Sequence, residues 1–313
     1  MLVAGGAGFI GSHIVDAALA AGWSVEVLDD LSSGTRDNLP SGVVLHQLDV
    51  RSPEARRVVA DGRFDLLDIQ AAQVDVRVSV SDPLRDLDIN VMGLANLLEG
   101  VAPGGITRVV WASSGGVLYG EAGRIPTPES APKCPVAPYG VSKLAGEHLL
   151  RVMGALRGFE TVALRYANVY GPRQDPHGEA GVCAIFAGRL LRGEPLTVFG
   201  TGRQTRDYVY VGDVARANVL ALTAPLPALD GGPDSTAFNV GTGHETSVLA
   251  LADTLGRAAG VAPSITLAPA RAGELDRSAL DAAKAAKLWQ WVPAVALPEG
   301  ATALIDWMRK VPR

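Results

Sequence analysis

The chain has 313 residues, 48% hydrophobic and 19% charged, which excludes an intrinsically disordered protein and allows one large α/β unit or two smaller ones. A formal net charge of −5 gives no footprint for nucleic acid, and no apolar run reaches the ~18 residues a membrane span needs. Cys134 and Cys183 are too few for a disulfide framework or a zinc site, so a cytoplasmic setting is expected.

The opening Met1-Leu2-Val3-Ala4-Gly5 has no basic segment and breaks into glycine, so it is not read as a secretory signal. Leu2–Ala4 is a predicted strand and Gly11–Ala21 a helix. Strands follow at Ser24–Leu28 and Val43–Leu48, then a helix at Pro53–Ala60. Asp65–Ala71 and Arg108–Ala112 are predicted strands on either side of a helix around Asp86–Glu99. A long helix over Tyr139–Leu156 leads into the strand Glu160–Leu164. Alternation of this kind means βαβ units with right-handed crossovers.

Beyond Tyr166 the pattern loosens. Helices are predicted at Ile185–Leu191, Asp213–Thr223, Val248–Ala259 and Pro298–Lys310, and strands at Leu196–Phe199, Asp207–Val211 and Phe238–Val240. Loops rich in Pro and Gly lie at Gly171–Gly181 and Pro225–Asp234. The fold class expected is α/β: a Rossmann-type, doubly wound parallel sheet with a smaller C-terminal substrate-binding domain. Residues 1–165, with a return segment near 207–240, form the nucleotide-binding part in this reading, and 166–313 the second domain.

Gly5, Gly8 and Gly11 follow the first strand and open the first helix. Glycines so placed turn the chain sharply and set backbone N–H groups and the helix N-terminus against a pyrophosphate. A carboxylate for the ribose diol is expected about 20 residues on, where Asp29 and Asp30 stand. Asp29 would repel a 2′-phosphate, which favours NAD over NADP. Asp49, after the third strand, is either an adenine contact or a plain turn carboxylate.

Tyr139 and Lys143 are four apart on a predicted helix and so share a face. A phenol with pKa near ~10 is a poor base at neutral pH. A neighbouring ammonium and the positive ring of a nicotinamide would favour the phenolate.

The run Gly5-Gly6-Ala7-Gly8-Phe9-Ile10-Gly11, then Leu28-Asp29-Asp30-Leu31-Ser32-Ser33-Gly34, then Tyr139-Gly140-Val141-Ser142-Lys143, resembles the extended short-chain dehydrogenase/reductase family. Within it the chain is most similar to the UDP-glucose 4-epimerases. Asp88-Ile89-Asn90-Val91, Arg165–Arg173, Arg206–Val211 and Phe238–Gly243 extend the likeness over nearly the whole chain.

The resemblance implies a cofactor set of Gly5, Gly8, Phe9, Ile10, Gly11, Asp29, Asp30, Ser32, Ser33, Gly34, Asp49, Val50, Ala71, Ala72, Asn90, Ser113, Tyr139, Lys143 and Tyr166 around NAD. It implies a UDP-sugar site from Gly115, Asn168, Val182, Thr197, Val198, Phe199, Arg206, Arg271, Glu274 and Ser278, the two arginines on the pyrophosphate. Ser278 falls where some relatives carry a bulky aromatic that excludes a 2-acetamido group, so the N-acetylated pair is an expected substrate too. The implied activity is NAD-dependent 4-epimerisation of UDP-sugars through a 4-keto intermediate.

Three departures stand out. Relatives carry a Ser or Thr four residues before the Tyr of a Tyr-Gly pair; before Tyr119-Gly120 that place is Gly115, which leaves Ser114 to supply the hydroxyl or merely to cap the strand. Ile69 replaces a usual histidine, with an effect expected on packing. The first strand is short, with Ala4 for a common Thr, as though the start were trimmed. Gly116-Val117 stand where a 4,6-dehydratase carries Asp-Glu, which counts against that activity. Two further readings stay open, a UDP-glucuronate decarboxylase and a catalytically silent NAD-sensing scaffold. His13, His46, His148, His177 and His244 have no metal spacing, so no metal is expected.

Apolar positions recur at Leu84, Leu87, Val91, Leu94, Ala95 and Leu98, and at Val141, Leu144, Ala145 and Leu149. They read as core stripes or, by the resemblance, as the interface of a homodimer.

Overall fold

The computed structural model describes residues 1–176, 181–227, 232–270 and 274–310. Six strands come first: β1 (Leu2–Ala4), β2 (Glu26–Asp29), β3 (Val44–Gln47), β4 (Leu66–Ile69), β5 (Arg108–Ser114) and β6 (Glu160–Tyr166). Between them run α1 (Phe9–Ala20), α2 (Pro53–Asp61), α3 (Val76–Ser81), α4 (Pro83–Leu87), α5 (Gly93–Gly100), α6 (Gly115–Leu118) and α7 (Pro138–Arg157). The later chain adds β7 (Asn168–Tyr170), α8 (Val182–Arg192), β8 (Leu196–Phe199), β9 (Thr205–Arg206), β10 (Tyr208–Tyr210), α9 (Val211–Thr223) and β11 (Ala237–Val240). It closes with β12 (Thr246–Ser247), α10 (Val248–Ala259), β13 (Ile265–Ala268), α11 (Ala283–Trp289) and α12 (Leu297–Lys310).

Seven parallel strands make the main sheet, in the order β11-β6-β5-β4-β1-β2-β3. Helices cover both faces, which is why β1 and most of β5 are apolar and buried throughout. Strand order reverses between β1 and β4, and in open α/β sheets the ligand crevice lies outside the carboxyl ends of the strands at such a switch point. A second core lies beyond, where Phe186, Leu190, Leu196, Val198, Leu251, Leu255, Leu304 and Ile305 pack together from α8, β8, α10 and α12.

The helix expected over 86–99 starts earlier, because Asp82 caps the Arg85 N–H at 3.1 Å and Pro83 occupies the first turn. It passes through a π turn at Asp88–Met92 before α5. The strand expected over 207–211 is broken at Asp207, which is buried and turns inward to accept the N–H groups of Thr242, Gly243 and Leu280. Sequence periodicity misses α3, α6, α11, β7, β9, β12 and β13; the helices span at most two turns, the strands two to four residues, and β13 is largely exposed. Ile69 is buried among Leu67, Leu97 and Trp111, a packing position as expected. No helix among the described residues is long and apolar enough to cross a membrane.

Candidate active site

The glycine turn is built for close approach. Gly5 sits at φ +80°, and a Cβ there would stand 2.4 Å from the Ala71 nitrogen. A Cβ on Gly11 would stand 2.1 Å from the Gly5 carbonyl, so only glycine lets α1 start this near β1. The N-terminus of α1 has no side-chain cap and no acid in its first turn, which leaves its N–H groups for an anion. At the end of β2, Asp29 accepts the Ala7 N–H (2.9 Å) and the Leu31 N–H (2.9 Å), fixing its carboxylate beside the turn. Burial pushes its pKa up, and those two bonds pull against it.

Across the crevice, Pro138 opens α7, and Tyr139 and Lys143 project together, the Lys143 Nζ 5.7 Å from the centre of the Tyr139 ring. Lys143 donates to the Ala112 carbonyl (2.9 Å) and lies over Trp111. Burial pulls Lys143 down to about 8, with the Asp86 carboxylate opposing. Burial also pushes the Tyr139 phenol up, Asp86 pushes it further, and a hydrogen bond with Ser114 pulls it back. The protein by itself therefore holds Tyr139 as a neutral phenol. The phenolate expected from the sequence needs positive charge brought by the cofactor.

Ser114 and Gly115 answer the question of the missing hydroxyl. A Cβ at Gly115 would stand 2.4 Å from Leu280 Cδ1, so Leu280 fills the room a serine would need. Gly115 is buried and carries no hydroxyl, so any part it takes in the substrate site is through its backbone. Strand β5 runs two residues past its predicted end, and alternation turns Ser114 toward Tyr139 while Ser113 faces away.

Other positions divide. Ser113 Oγ donates to Glu147 (2.6 Å) inside a buried pair with Arg165, so its hydroxyl is not offered to a cofactor. Tyr166 turns its hydroxyl under the sheet to Asn218 (2.9 Å). Asn90 spends its amide on Gln73, Asp86 and Ser142. Val50 packs in the core against Gly93. Asp49 is tied to Arg51, the turn reading of that residue. Asp30 accepts from Ser32, both exposed; Ser33 is exposed, and Gly34 packs on Ala7. Phe9, Ile10, Ala71 and Ala72 are half-buried around the glycine turn.

On the sugar side, Asn168 stands near Gly116 and is held by the Asp207 carbonyl (2.9 Å). Arg206 and Glu274 meet at 3.5 Å. Thr197 and Phe199 are half-buried, whereas Val198 is fully buried, because alternation along β8 turns its side chain into the second core. Val182 begins α8, and Ser278 donates its N–H to Thr205 (3.2 Å). Arg271 and His177 lie outside the described residues. Sequence reasoning missed Asp86, Asp68, Asp207 and Leu280. A single acid or leucine carries no local signal of what it faces across the fold.

Fold and site together define an extended short-chain dehydrogenase/reductase. Residues 1–241 match the NAD dependent epimerase/dehydratase family, and the chain belongs to that family. It is 42% identical to the UDP-glucose 4-epimerase of Mycolicibacterium smegmatis, over 98% of this chain and 98% of that one. The solved UDP-glucose 4-epimerase of Thermotoga maritima with UDP-glucose is 41% identical, covering 99% of this chain and 98% of that one, at a TM-score of 0.93. The UDP-glucose 4-epimerase of Thermus thermophilus in complex with NAD is 44% identical, covering 99% of each chain, at a TM-score of 0.90. NAD is the cofactor, and the glycine turn, the open start of α1 and Asp29 fit it.

Proposed function

We propose that the chain is a UDP-glucose 4-epimerase that retains NAD. The observation that carries this is the Tyr139 phenol, joined to Ser114 and beside Lys143, in a chain whose first strand runs into a close-approach glycine turn. NAD when bound supplies reversible hydride acceptance at sugar C4. Tyr139 Oη takes the 4-hydroxyl proton and returns it after the keto sugar has turned over. The Ser114 hydroxyl donates to the sugar oxygen as charge builds on it. Lys143 holds the cofactor ribose, and Arg206, Asn168 and Glu274 hold the nucleotide while the sugar swings. Incubating the purified protein with UDP-glucose and no added NAD should yield UDP-galactose on chromatography; absence of product would end this reading. Gly116 and Val117 carry no acid, which disfavours a 4,6-dehydratase.

Ser114→Ala should lower kcat about 10- to 1000-fold, the worth of a donor aimed at developing charge. An unchanged rate would assign that donor elsewhere. With serine rather than an aromatic at 278, UDP-N-acetylglucosamine is expected to turn over in the same assay.

The protein is further read as a cytoplasmic homodimer. Its free Cys134 and Cys183 suit a reducing compartment. Support for the dimer is the exposure of large apolar side chains on α3, α4 and α7: Leu84 is 77% exposed and Leu156 76%, and Val80, Val141 and Val152 are exposed too. Leu94 and Leu98, by contrast, belong to the core. Light scattering at micromolar concentration should give the mass of two chains; that of one chain would refute the dimer.

A further inference from the structure

Asp86 on α4 is fully buried, yet it has no basic partner in an ion pair among the described residues. One carboxylate oxygen accepts from Gln73 Nε2 (2.8 Å) and Asn90 Nδ2 (3.1 Å). The other oxygen is buried with no donor among the described residues. A bare buried acceptor of this kind is costly, so packing alone does not account for it. Asn90 also reaches Ser142 Oγ (3.3 Å), one residue before Lys143, which ties the carboxylate to the helix bearing the proton-transfer pair.

Lys143 has the complementary problem. It is 2% exposed, and its ammonium meets one carbonyl and two aromatic faces. Such contacts offset only part of the cost of burying a charge. We propose that Asp86 is a positioning residue of the reaction, the fixed negative charge against which the Tyr139–Lys143 pair is set. This rests on reading that pair as the proton-transfer machinery. The field of Asp86 acts on both members, favouring the charged lysine and disfavouring the charged tyrosine. Neighbouring charges on the packed elements are engaged elsewhere: Asp75 with Arg77, Asp88 with Arg51 and Glu147 with Arg165. Asp82, Arg85 and His148 are exposed, where water screens them.

Removing a negative charge makes an ammonium easier to discharge and a phenol easier to ionise. Asp86→Asn should therefore move both limbs of the kcat–pH profile to lower pH, each by about half a unit to one unit. Asp86→Glu, which keeps the charge, should leave both limbs near their wild-type positions. A second readout needs no turnover. The protein has five lysines, and in 15N-lysine-labelled protein the Lys143 Nζ titration midpoint should fall in Asp86→Asn. If the wild type fails to convert UDP-glucose, the functional reading fails while this NMR arm still judges Asp86. Asp86→Ser removes the same charge with different packing and should shift limbs and midpoint alike. A lower rate with unmoved limbs and midpoint would overturn the proposal. So would failure of both charge-removing variants to fold, which would make the carboxylate a folding element.

Discussion

Tyr139→Phe should lower turnover of UDP-glucose by about two to four orders of magnitude while NAD remains bound. The substitution removes one oxygen. The ring that packs beside Lys143 stays, and the glycine cradle and Asp29 are untouched. Lost with the oxygen are the proton carrier and the hydrogen bond with Ser114. The expected signature is a fall in kcat with little change in KM, in bound NAD or in melting temperature. Near-normal kcat would remove Tyr139 from the chemistry.

A second large effect is on stability. Asp68 lies mid-sheet on β4, in register with Val3 and Val110, and is fully buried. One oxygen accepts from Gln70 (2.6 Å) and the other has no donor among the described residues. Burial pushes its pKa up to about 7. The folded chain thus holds a proton between about pH 4 and pH 7 that the unfolded chain releases, so stability falls as pH rises through that range. Three pKa units correspond to at most about 4 kcal/mol. Asp68→Asn keeps the shape and never ionises. It should match the wild type in denaturant unfolding near pH 4 and exceed it by a few kcal/mol at pH 8. A difference that does not change with pH would show that Asp68 is not the titrating group.

Much of the site was legible because its signals are local. The glycine spacing before a helix, Asp29 at the end of β2 and the four-residue step from Tyr139 to Lys143 each follow from one element's geometry. What depended on direction or on distant partners was not legible. The roles of Ser113 and Ser114 hang on where β5 ends, since only inside the strand does alternation put them on opposite faces. Leu280 occupies the space beside Gly115 from the far end of the chain, and no local pattern announces it. Val198 was open to reading, because alternation along β8 already turns it away from Thr197 and Phe199. Asp68 sits in a buried apolar strand, and Asp86 lies off the apolar stripe read along its helix yet is buried. A sequence pattern gives their faces but not how their oxygens are satisfied.

The central claim is that one hydrogen leaves sugar C4 and returns to the same carbon while Tyr139 carries only the proton of the oxygen. The most direct measurement is conversion of UDP-glucose in heavy water, with no NAD added, followed by proton NMR. UDP-galactose should form with protium retained at C4, because the hydride never exchanges with solvent. Deuterium at C4, or no UDP-galactose from protein that carries NAD, would contradict the account.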